Sequence, residues 1–200
     1  MGVRLLLGVP EIPAISIRRY HEHSNSLIMV SEMEDDQYWM DEALKEADLA
    51  LEKGEVPVGA VVVLDGMIIG RGHNMTEELS DPTAHAEIIA LGAAGSTIGD
   101  WRMPDSTLYV TLEPCTMCTG AILLSRLGTL VYGADDPLAG ACGSKLDLIG
   151  EARLAGRLLL RRSVKESECR GVLQSFFDAI RNGSMRRGAG AVERGGLENR

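Results

Sequence analysis

Long apolar runs are missing from this chain. None approaches the 18 or so residues of a membrane-spanning helix, so no segment is expected to cross a bilayer. A secretory leader is also missing from the expected pattern. The opening MGVRLLLGVP has a short apolar patch, but Pro10, Glu11 and Pro13 interrupt it and no A-x-A-like cleavage site follows. Cysteine is sparse. Four in 200 residues do not make a disulfide scaffold, and a C-x-x-C pair in such a chain is more often metal-binding or redox-active. Positive charge is in deficit. The formal net charge of −9 argues against a broad phosphate-gripping face, while leaving room for a small local one. No internal repeat is visible.

What is present reads as one domain with tails. Hydrophobic residues make up 45% of the chain, enough to bury a core. Residues 1–32 lack sustained periodicity and are expected to form a disordered extension. Met29 and Met33 stand just before the first strong helix signal, where a later start would remove that stretch. Residues 184–200, rich in Gly and Arg, predict a second disordered tail. The patterned body is residues 33–183.

Within it, DDQYWMDEALKEADLALEKG places Trp39, Met40, Ala43, Leu44, Ala47 and Leu51 at helical spacing. VPVGAVVVLDGMIIGRG is two β-rich runs around Asp65-Gly66, a strong hairpin signal. DPTAHAEIIALGAAG predicts a helix capped by Asp81, and PCTMCTGAILLSR another with Pro114 at its first position. TLYVTL and GTLVYGA read as buried strands, GRLLLRRSV as a further strand, and SECRGVLQSFFDAIRNG as a closing helix. Strands alternating with helices indicate an α/β layer architecture.

Two half-motifs carry chemistry. In TAHAEI, His85 and Glu87 open one predicted helix; in EPCTMC, Cys115 and Cys118 open another. Residues three apart share a helix face, so both sulfurs can meet one ion, and a helix N-terminus favours thiolate. His85, Cys115 and Cys118 make three ligands with no obvious fourth, the composition of a catalytic zinc site with an open position. Glu87, two residues from His85, is placed to exchange protons with a water there without ligating the ion. A thioredoxin-like reading of the cysteines leaves His85 and Glu87 unexplained. Cys142 and Cys169 lack paired spacing, and His21, His23 and His73 are read as ordinary residues. The order H-x-E, then P-C-x-x-C, matches the signature of zinc-dependent nucleobase deaminases.

From about Tyr38 to Ile180 the chain resembles the bacterial tRNA-specific adenosine deaminases. The stretches that carry the likeness are EVPVGAVVV, GRGHN, DPTAHAEIIAL, TLYVTLEPCTMCTGAILLSRLGTLVYGADD, GACGS and SFF. The resemblance implies a cytidine-deaminase-like fold, a three-layer α/β/α sandwich with a central mixed sheet. It also implies a cytoplasmic homodimer with one zinc per chain, held by His85, Cys115 and Cys118. The reaction it implies is conversion of adenosine to inosine at the wobble position of a tRNA anticodon loop, with Glu87 as proton shuttle. By the same resemblance Asn74 hydrogen-bonds the flipped base and Ala86 offers small bulk and a backbone N–H. Asp136 lies near the sugar of the target nucleotide, with a turn cap as its other reading. Phe177 stands near the bound loop, while Phe176 is read as core.

The chain departs from the family where positive charge is familiar. Leu138 stands where a basic residue is common, and Asp135 and Asp178 stand where arginine is common. Lys145, Arg153, Arg181, Arg186 and Arg187 are the remaining cations that can face RNA. Guanine deaminases, which need no RNA surface, are therefore a rival reading. A non-catalytic zinc-containing partner subunit is another, but such a subunit would be free to lose Glu87.

Overall fold

A computed structural model of the chain describes residues 25–150 and 158–188, with side chains from residue 35 onward. His21, His23, Arg153 and the tail beyond Gly188 lie outside the described residues. Helix α1 spans Asn25–Glu52. It begins inside the segment expected to be disordered, so the expected boundary at residue 33 falls within a helix. From Asn25 to Lys53 the sequence holds no proline or glycine. Propagation upstream from the packed half of the helix therefore meets no breaker. Gly54, at φ 73°, ends the helix.

The hairpin forms as the sequence predicts. Strands β1 (Gly59–Leu64) and β2 (Met67–His73) pair antiparallel. Asp65 and Gly66, at φ 50° and 70°, make the turn whose twist matches the strands. After a short helix α2 (Thr76–Leu79) come α3 (Ala86–Ile98), β3 (Thr107–Leu112), α4 (Thr116–Leu124), β4 (Thr129–Ala134), β5 (Leu159–Arg161) and α5 (Glu166–Arg181). The sheet order is β2-β1-β3-β4-β5. β3 pairs antiparallel with β1 and parallel with β4, and β4 pairs parallel with β5, so the sheet is mixed.

Alternation along the strands divides the core into two. Ala60 and Val62 of β1, Leu108 and Val110 of β3, and Leu130 and Tyr132 of β4 pack with Ala86, Ala90 and Ala94 of α3 and Ile122 of α4. Val61, Val63, Tyr109 and Val131 point the other way, against Met40 and Ala43 of α1 and Cys169 of α5. The result is the expected three-layer sandwich.

Two details set the height of α3 over the sheet. A Cβ on Gly70 would lie 2.3 Å from the Ala90 carbonyl oxygen, and one on Gly72 would lie 2.5 Å from that of Ala86. Bare glycine backbone on β2 lets the alanine stripe of α3 descend to contact, which fixes where the helix begins.

The ends of the elements differ from expectation in three places. Asp81 does not cap α3: its Oδ1 accepts from the Thr83 backbone N–H (2.8 Å) and hydroxyl (2.7 Å), closing a turn that precedes the helix. Pro114 lies before the N-cap of α4, because Cys115 is still extended and forms a β-bridge with Gly140. The start of the expected C-terminal tail is ordered through Gly188, whose N–H donates to the Gly54 carbonyl (3.2 Å).

Candidate metal and catalytic site

The two half-motifs meet at helix N-termini. His85 is the N-cap of α3 and Cys115 the N-cap of α4, while Cys118 sits one turn into α4. α4 is the crossover between parallel strands β3 and β4, so its start lies at the carboxyl ends of those strands, where α/β sheets bind ligands. His85 Nδ1 is 3.7 Å from Cys115 Sγ and 3.5 Å from Cys118 Sγ. Zinc ligands at about 2.0 Å (N) and 2.3 Å (S), set at a tetrahedral angle, stand about 3.6 Å apart. The donor set and its spacing therefore fit that ion. His85, Cys115 and Cys118 are the group of potential ligands found among the described residues, with all three donor atoms within 4.8 Å of one another. Cys142 and Cys169 are buried elsewhere, the first against Thr119 and the second under α1. All four cysteines are free.

The three groups perturb one another strongly. The hydrogen bond with Cys118, followed by that with His85, holds the Cys115 thiol well below its ordinary range despite burial. The same bond and burial push the Cys118 thiol up. Glu87 lies in the first turn of α3 and is 4% exposed. Burial raises its carboxyl above the ordinary carboxylate range.

A cavity of about 220 Å³ opens over these groups, lined by Asn74, His85, Glu87, Glu113, Cys115 and Asp136, with Val56, Val58 and Leu112 as apolar wall. Asn74 is thus at the site. Asp136 lines it too, and its Oδ1 accepts from the backbone N–H groups of Leu138 (2.9 Å) and Ala139 (3.1 Å), so the carboxylate also caps a turn. Ala86 is fully buried and its side chain packs in the core beneath the site. Phe177 lies outside the cavity, in an adjoining groove with Leu138, Arg170, Leu173 and Gln174 that shares Val56, Leu112, Asp136 and Ala139 with it. Phe176 is fully buried, as expected, and meets Phe177 edge-on at 5.3 Å.

Two buried carboxyl groups that the sequence reading did not single out frame the site. Glu113, 2% exposed, accepts from the backbone N–H groups of Asp136 (3.0 Å), Cys142 (2.9 Å) and Ser144 (3.1 Å), and from the Ser144 hydroxyl. Burial pushes its carboxyl up, but these donors outweigh burial and hold it below 4.5. The loop after β4 is buckled in this way to the residue before Pro114. Glu55, 1% exposed, lies behind Asn74 and Thr76, accepting from the Asn74 amide and from two backbone N–H groups of α2. The only signal in the sequence is a single carboxylate close to a proline, Glu113 directly before Pro114 and Glu55 two residues before Pro57.

The charges at the departures are engaged locally. Tyr132 donates to Asp135 (3.1 Å), and Asp178 pairs with Arg181 on the same helix. Leu138 is 85% exposed at the groove.

A cytidine and deoxycytidylate deaminase zinc-binding region matches residues 33–134, and the chain belongs to that deaminase family. Among particular relatives, it is 46% identical over 149 residues to the tRNA-specific adenosine deaminase of Bacillus subtilis (strain 168), a match covering 74% of this chain and 92% of that protein. A solved structure from work on A-to-I editing by tRNA:A34 deaminases, at the wobble position of transfer RNA, superposes with a TM-score of 0.66 at 45% identity. It covers 68% of this chain and 99% of the other. A guanine deaminase from Nitrosomonas europaea has a TM-score of 0.61 at 21% identity, covering 70% of this chain and 83% of that one, which is a likeness of fold alone. No helix among the described residues is long and apolar enough to cross a membrane.

Proposed function

We propose that this protein hydrolyses adenosine to inosine at the wobble position of a tRNA anticodon loop, in the cytoplasm, with one zinc held by His85, Cys115 and Cys118. The observation that carries the chemistry is the convergence of His85 Nδ1 on both sulfurs, 3.5 and 3.7 Å away, beside the buried Glu87. Support for the substrate comes from relatives at 45–46% identity that are named for that reaction. Zinc in this site supplies the Lewis acidity that makes water nucleophilic near neutral pH. Glu87 accepts a proton from the attacking water and delivers it to the ring nitrogen next to C6, then takes the remaining proton from the new C6 hydroxyl and passes it to the departing amine. The water oxygen bonds to C6, the C6–N bond breaks, and inosine and ammonia leave. Asn74 hydrogen-bonds the base from the cavity wall, and the valines exclude bulk water. Ala86 offers its backbone N–H beneath the base. Asp136 stands at the mouth, near the sugar, and Phe177 in the adjoining groove offers a face to a neighbouring base of the loop.

The homodimer belongs to the same reading. Ile88 and Leu91 of α3 and Ala121 and Leu124 of α4 line an apolar groove with Trp101, of about 680 Å³, on the outer side of the helices that bear the ligands. Leu124 is 70% exposed and Trp101 53%, which is unusual for large apolar side chains on one face. A second copy covering this face is expected to be lost in Leu124→Glu. Analytical ultracentrifugation that finds parent and variant at the same mass removes this face from the assembly.

The function is tested by incubating the purified protein separately with a hairpin bearing A at the wobble position and with guanine. Inosine from the hairpin is the expected product. Xanthine from guanine, with an unchanged hairpin, overturns the reading.

A further inference from the structure

The Asn74 side chain is held from one direction only. Its Nδ2 donates to Glu55 Oε2 and to Thr76 Oγ1, both at 3.3 Å, and the Thr76 hydroxyl itself donates to the same Glu55 oxygen at 3.1 Å. The three atoms form a nearly equilateral triangle. Both contacts fall on the NH2 end of the amide, and the two acceptors are themselves 3.1 Å apart. The side-chain carbonyl of Asn74 takes part in neither contact and remains for the cavity that this residue lines.

Glu55 is itself immobilised. Its second carboxyl oxygen accepts from the backbone N–H groups of Glu77 and Glu78, both at 2.8 Å, which are the orphan donors at the start of α2. Its own N–H donates to the Ala50 carbonyl at 3.0 Å, at the end of α1. The Asn74 backbone is tied in turn to the Val58 carbonyl at 3.0 Å. Glu55 is thus held in place as an acceptor, and it is to this acceptor that the Asn74 NH2 turns.

We propose that Glu55 is a positioning residue of this enzyme, which fixes the Asn74 amide in one of its two orientations and so decides which edge of a bound nucleotide meets a donor and which meets an acceptor. This rests on the deaminase reading above for its substrate. A buried carboxyl at this point costs desolvation that an apolar residue would not. The return is a site whose donor and acceptor pattern is set before the ligand arrives, and polar groups left unpaired by the wrong ligand are what give such sites their selectivity.

Glu55→Gln tests it. The glutamine must turn its oxygen to the two backbone N–H groups of α2, which leaves its NH2 facing Asn74. The Asn74 amide then turns over to offer its carbonyl to that NH2, and the pattern in the cavity inverts. KM for the hairpin is expected to rise about tenfold, the worth of one or two hydrogen bonds, with kcat and zinc content changing much less. Because Glu55 acts through Asn74, the same substitution made in an Asn74→Ala background is expected to leave KM where Asn74→Ala put it. Additive effects of the two substitutions would overturn the proposal.

A readout without substrate keeps the claim separate from the proposed reaction. The side-chain NH2 resonances of Asn74, assigned against Asn74→Ala, are expected to shift and to change their hydrogen exchange in Glu55→Gln. Thr76→Val, which leaves α2 capped, is expected to do so to a smaller extent and covers the case in which Glu55→Gln fails to fold. An Asn74 amide that is unchanged in a folded variant overturns the proposal, whatever the enzyme does to RNA. A parent protein inert on RNA removes the deaminase reading and leaves the amide signal to decide this one.

Discussion

At the scale of single residues the proposed function gives the holding of the ion and the moving of protons to different side chains. Cys118 is fully buried and donates to the cluster, whereas Glu87 faces the cavity without belonging to the ligand group. Glu87→Ala is therefore expected to keep zinc and fold while losing activity by about a hundredfold to ten-thousandfold. Cys118→Ala is expected to lose most of the metal, and stability with it. Metal analysis and melting curves on the two variants check this, and full zinc content in Cys118→Ala would refute the ligand assignment. Glu113 makes a different demand. Its carboxyl lies below 4.5 in the folded protein, so its bonds stabilise the fold fully above that value, and the contribution disappears as the pH falls through the depressed one. Glu113→Gln leaves buried backbone donors without an acceptor and is expected to cost about 2 kcal/mol or more at pH 7. The difference in Tm between parent and variant should shrink as the pH is lowered below 4.5. A constant difference would mean that the charge of Glu113 does not matter.

At the scale of elements, the close approach of α3 to β2 sets the position of His85 and Glu87. Gly72→Ala puts a methyl 2.5 Å from the Ala86 carbonyl oxygen and 2.6 Å from the Ala90 nitrogen, both backbone atoms that cannot step aside alone. The helix must lift, at about 1–3 kcal/mol, and its N-cap must lift with it. Chemical denaturation and zinc titration are expected to register both losses, and a variant with parental zinc affinity would uncouple helix height from the site. The elements themselves were largely legible beforehand. Asp65-Gly66 announced the hairpin, and the H-x-E and P-C-x-x-C pairs announced the side chains that converge at His85, Cys115 and Cys118, because each signal is local. What stayed hidden was tertiary. Glu55 reaches Asn74 across 19 residues and Glu113 reaches Ser144 across 31, and a single carboxylate has no periodicity to betray its partners. Asp81-Pro82 has the composition of a helix start, but its side chain is spent on Thr83, and the helix waits for His85. Helix α2, with four residues, is too short to leave a pattern.

At the scale of the whole molecule, the question raised by the −9 charge is local. Asp178 is neutralised by Arg181, Asp135 is bound by Tyr132, and the guanidinium of Arg187 stands 5.9 Å from the ring centre of Phe177. The groove beside the site is thus apolar with few free cations, which suits stacking better than phosphate gripping. RNA affinity should depend weakly on salt, with a slope corresponding to about two to four phosphate contacts. Binding measured across several salt concentrations checks this, and a slope like that of a strongly basic protein would contradict it. The β1–β2 hairpin adds a practical consequence. Val58 and Asn74, at its open end, line the cavity, while Asp65 and Gly66 form its tip six residues away along β1. At about 3.3 Å per residue that is some 20 Å from the chemistry. The tip is exposed, and a Cβ on Gly66 would touch nothing within 4 Å. It is a natural handle, where a fluorophore or an affinity peptide can be grafted to watch or capture the working enzyme without entering its active site.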